Sequence, residues 1–86
     1  MNGRGPSEVE ALIAEEKRLV ALECHTEAWA DAVSEGGEAE IVADAAISTA
    51  LIELIRAEGE VRALEMIDDM RKRINAGDFT CDRMLH

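Results

Sequence analysis

The sequence predicts an all-α protein, a small helical hairpin or three-helix bundle packed as a homodimeric helical bundle. Apolar residues make up 48% of the chain and aromatic ones 2%, so a core must be built from Leu, Ile, Val, Ala and Met. Such side chains suit closely packed helices. The apolar residues recur at three- and four-residue steps, the period of a helix face rather than of a strand. A single proline and few turn clusters leave long uninterrupted stretches between them. At 86 residues the chain forms one domain. A monomer of this size buries only about 60% of its unfolded surface, so self-association is expected. The expected organisation is a single domain over 1–86. Its helices lie at about 7–34, 38–58 and 60–75, with flexible or docked tails at 1–6 and 78–86.

The first helix opens on "PSEVE", where Ser7 and Glu10 have the spacing of a capping box. No Gly or Pro interrupts the chain from there to Ser34. Leu12, Leu19, Leu22, Thr26, Trp29 and Val33 fall on one face at alternating three- and four-residue steps. Glu15 and Glu16 leave a polar gap in that stripe. "SEGGEAE" then ends the helix, its adjacent glycines supplying the left-handed backbone that helix ends favour.

The second helix begins near Glu38, and Glu40 favours a helix N-terminus through the dipole. Ile47, Leu51, Leu54 and Ile55 form its central stripe, widened by Ile41 and Ile52. One partner helix cannot cover an arc this broad, so a third helix or a second subunit is required. At Gly59 a break or sharp kink is favoured over one continuous helix. Unbroken, the helix from Glu38 to Asn75 would span about 55 Å and overshoot the first. Against a clean break, no Ser, Thr, Asp or Asn follows Gly59 to cap a new helix. The third helix carries Ala63, Ile67, Met70 and Ile74 as its stripe, flanked by Leu64 and Met66. Gly77 is placed to end it, with Phe79 folding back on the last turn.

The formal charge of −10 is uneven. Residues 1–34 carry seven acids and three bases, a net of −4; residues 35–58 carry six and one, a net of −5. Residues 59–86 carry six acids and five bases, a net of −1. A surface this negative repels phosphate backbones, so direct nucleic-acid binding is not expected, whereas a basic protein is an expected partner. The basic run Arg71, Lys72, Arg73 fits a helix C-terminus, with Asp68–Lys72 and Asp69–Arg73 as pairs four residues apart.

No catalytic residue, cofactor site or metal site is expected. Cys24 and His25 diverge by about 100° on a helix, and Cys81 and His86 are remote in sequence. Cys24 is expected to be partly buried, and His25 to contact Trp29 one turn on. Met66 and Met70 read as core fillers. The N-terminus has no apolar leader and no segment is apolar enough to span a bilayer, which points to a cytoplasmic protein without membrane contact.

The expected function is that of a small acidic helical interaction protein. It would be a regulator or inhibitor of another, basic and nucleic-acid-binding, protein. The alternative is an assembly module acting through homodimerisation as a four- or six-helix bundle. The candidate core or dimer residues are Leu19, Leu22, Trp29, Ile47, Leu51, Ile52, Leu54 and Ile55. The candidate partner-facing acids are Glu35, Glu38, Glu40, Asp44 and Glu53.

Overall fold

A computed structural model describes residues 6–80, and these form three α-helices with no strand among them. They are α1 (Pro6–Ser34), α2 (Ala39–Glu58) and α3 (Glu60–Ala76). The ends of the expected tails, with Cys81, Met84 and His86, lie outside the described residues.

α1 begins at Pro6, so Ser7 stands inside the first turn rather than ahead of it as a cap. Proline suits that place, because a first-turn N–H has no partner within the helix. The other end of α1 closes in a Schellman arrangement. The Gly37 N–H donates to the Ala32 carbonyl and the Gly36 N–H to the Val33 carbonyl, both at 3.0 Å. Gly36 has φ 99°, which L side chains rarely adopt. α3 ends in the same way: Asp78 N–H donates to Arg73 and Gly77 N–H to Ile74, both at 3.0 Å, with Gly77 left-handed. Phe79 folds back as expected, its ring centroid 4.6 Å from the Arg73 guanidinium carbon.

The break at Gly59 takes a single residue. Its N–H still donates to the Ile55 carbonyl (2.9 Å), closing α2, while its own carbonyl accepts from the Ala63 N–H (3.3 Å), opening α3. Gly59 is thus itself the N-cap, with φ 91° and ψ 168°. That backbone region is essentially reserved for glycine, so no side-chain cap was needed.

The chain divides into two compact units, Met1–Ala43 and Asp44–His86, the division falling inside α2. In the first, Ala32, Gly37, Val42 and Ala43 are half-buried where the chain turns out of α1. A Cβ on Gly37 would stand 2.8 Å from Val42 Cγ2 and 2.9 Å from the Ala32 carbonyl oxygen. Backbone at that distance cannot yield as a side-chain tip can. Gly37→Ala should therefore cost about 1–3 kcal/mol, as overpacking does, read as a lower thermal midpoint. An unchanged midpoint would show that the turn is looser than this geometry.

In the second unit the C-terminal half of α2 packs with α3. Ala63 is the one fully buried apolar residue among those described, at 4% exposure. Leu51 and Leu54 on α2 and Met66 and Met70 on α3 are half-buried. The packed face of α3 therefore runs through Ala63, Met66 and Met70. The expected stripe is corrected here, because Ile67 and Ile74 are exposed. A small residue lets the helices approach closely, and flexible methionines fill the flanking space. Leu51, Ile55, Ala63, Leu64, Ile67 and Glu60 line an open hollow of about 270 Å³ beside that contact.

Candidate interaction surface

On α1 the residues Leu12, Glu15, Leu19, Leu22, Thr26, Trp29 and Val33 alternate four- and three-residue steps over three heptads. In coiled-coil terms Leu12, Leu19, Thr26 and Val33 occupy position a, and Glu15, Leu22 and Trp29 position d. A stripe repeating every 3.5 residues is what a coiled-coil partner covers, and Val9, Ile13 and Val20 extend the exposed apolar surface beside it. Among the described residues of its own unit nothing covers the seam. Leu19 is 51% exposed, Leu22 52% and Trp29 39%, and Leu12, Thr26 and Val33 are exposed as well. The Thr26 hydroxyl donates to the Leu22 carbonyl (2.8 Å), so its polar group is satisfied within the helix and tolerates an apolar surround.

The two edges of this seam differ in charge. Glu16 and Glu23, with Glu27 beyond them, border Leu19, Leu22 and Thr26 on one side. Arg18 and His25 stand on the other, each one residue before a seam position. Arg18 reaches back to Glu15, with its Nε and Nη2 donating to the two carboxylate oxygens at 3.1 and 3.2 Å. The hydrogen bond from Arg18, and then its charge, hold the Glu15 carboxyl below the usual glutamate range. A depressed folded pKa stabilises above the ordinary glutamate value, and that contribution is lost as pH falls through the folded pKa. Arg18→Ala should return Glu15 to the ordinary range in a carboxyl NMR titration. No movement would mean that Arg18 is not the cause.

The His25 Nδ1 donates to the Ala21 carbonyl (2.8 Å). Cys24 is exposed, not partly buried. It lies two residues past Leu22, off the seam. Among the described residues no cluster of His, Cys, Asp and Glu could hold a metal ion.

The other residues singled out from sequence separate by unit. On α2, Ile47, Ile52 and Ile55 are exposed, and so is Ile41, while Leu51 and Leu54 are half-buried against α3. Glu35, Glu38 and Glu40 are exposed around the turn and the start of α2, the Glu38 carbonyl accepting from the Val42 N–H (2.9 Å). Asp44 accepts from the Ser48 hydroxyl (3.3 Å), and Glu53 pairs with Arg56 (3.1 Å), both on the surface. Exposed pairs of this kind contribute about 0–1 kcal/mol.

The basic run of α3 is neutralised locally. Asp68 takes both Arg71 and Lys72, the latter at 3.4 Å. Arg73 pairs with Asp78 (3.6 Å) under the Phe79 ring rather than with Asp69. Sequence reasoning passed over Arg18, Glu23 and Gly37. The first two were visible as the residues flanking the seam positions, and Gly37 only as half of a glycine pair.

No described helix is long and apolar enough to cross a membrane. No protein-family model, curated protein or solved structure matches the chain.

Proposed function

We propose that this chain is a small acidic helical protein-interaction protein, a regulator or inhibitor that works by binding another protein. The observation that carries this reading is the exposed apolar seam of α1 from Leu12 to Val33, with Glu16 and Glu23 along one edge. Water is a poor neighbour for Leu19, Leu22 and Trp29 together, and covering them releases free energy in proportion to the area removed. The net charge of −10 makes a basic protein the partner class that fits, including one that itself binds nucleic acid. Glu35, Glu38, Glu40, Asp44 and Glu53 would steer such a partner, because the stretch 35–58 has the largest net negative charge.

Affinity capture with the intact chain from its native host, repeated across a salt series, tests this. A cationic protein released as salt rises is expected. Capture that is indifferent to salt, or recovery of no cationic protein, would contradict the electrostatic part of the proposal.

A second reading, an assembly module acting through homodimerisation as a four- or six-helix bundle, is favoured by one observation. The α1 seam keeps a 3.5-residue period, which a second identical helix matches. The two readings compete for the α1 seam, and self-pairing through it would leave a basic partner the acids of 35–58.

A further inference from the structure

We propose that two copies of this chain pair through α1 as a parallel, in-register coiled coil. The proposal rests on reading the α1 seam as an interaction surface, and it commits to a second copy as what covers it.

The seam itself is symmetric enough to pair in either direction, so the edges must choose. Residues just before position a are g, and residues just after position d are e. The g edge of α1 carries Arg18 and His25, and the e edge carries Glu16 and Glu23. A parallel pair sets each g residue against the e residue five positions further along the partner, which places Arg18 against Glu23. Two-fold symmetry makes that contact twice. An antiparallel pair sets e against e, which brings Glu16 and Glu23 of the two copies together. Opposite charges attract only in the parallel arrangement.

Arg18 can serve both neighbours. Two of its N–H groups hold Glu15 of its own helix, and a guanidinium has five. That internal pair also explains how a glutamate can occupy position d. In the parallel dimer Glu15 faces its own copy, each screened by its own Arg18. The firm part of the seam then runs from Leu19 to Val33.

The test uses the full chain. With Cys24 and Cys81 replaced by serine, Val33→Cys places a thiol at position a near the C-terminal end of α1. Mild oxidation should then give a covalent dimer, because parallel helices bring the two Val33 positions together. The chain with its native Cys24, outward on the helix and exposed, and with Cys81→Ser, should stay unlinked under the same oxidation. Separately, Arg18→Glu should weaken dimerisation about tenfold, as expected when two exposed charge pairs are reversed. Adding Glu23→Arg to it should recover part of that loss and not all of it, because Glu15 stays without the Arg18 that screens it from its own copy. A monomeric mass at micromolar concentration would overturn the proposal. So would a dimeric mass with no cross-link at Val33→Cys, or a double variant that stays as weak as the single one. These measurements use the purified chain alone. Failure to capture a basic partner would leave them untouched, and their failure would leave that partner possible.

Discussion

Replacing Leu22 by glutamate should leave α1 helical and raise the dissociation constant of the self-associated chain at least a hundredfold. Leu22 sits at the middle of the seam, 52% exposed in the single chain. In a symmetric pair both copies lose their burial at once. Full burial of a leucine is worth about 1.5–3 kcal/mol; with about half of each side chain left to bury, two amount to about 1.5–3 kcal/mol before the cost of burying and opposing the new charges is added. Glutamate is nearly as good a helix former as leucine, so the helix itself has no reason to melt. Sedimentation equilibrium reads the association and circular dichroism the helix. Unchanged association would place the interface elsewhere than on this seam.

The second large effect is expected at Gly59. Its backbone, at φ 91° and ψ 168°, costs any other residue about 1–3 kcal/mol, and alanine favours a continuous helix by about 1 kcal/mol more. A Cβ there meets nothing within 4 Å, so the penalty is one of backbone conformation and not of space. Gly59→Ala should therefore shift the chain toward one helix from Ala39 to Ala76, and separate Leu51 and Leu54 from Ala63. Spin labels at Ile47 and Ile74, twenty-seven residues apart, would then lie about 40 Å apart along a straight helix. The parent chain should give a distance well short of that. Identical distances in the two proteins would mean that packing around Ala63, not Gly59, sets the break.

Much of this fold was legible because glycines at positive φ punctuate it. Gly36, Gly59 and Gly77 mark the helix ends, and each is a place where the backbone rather than a side chain decides the structure. The packed face of α3 was legible in part. Ala63, Met66 and Met70 were among the residues expected there, but the helical period did not show that the face turns away from Ile67 and Ile74, which are exposed. The same limit applies to Cys24, whose exposure depends on what lies beside α1. The seam of α1 was readable from its three- and four-residue steps. The meaning of its edges was not, since Arg18 and Glu23 acquire opposed roles only once each seam position is assigned.

The seam carries its own reporter, because Trp29 is the single tryptophan of the chain. Its fluorescence and its quenching by acrylamide can be followed as the protein is diluted, with the mass measured on the same samples. Between the dimer at 2 × 9.4 = 18.8 kDa and the monomer at 9.4 kDa, Trp29 should become steadily more quenchable and its emission should move to the red. A tryptophan equally quenchable at every concentration, in a chain that weighs 9.4 kDa throughout, would contradict an α1 seam covered by a second copy.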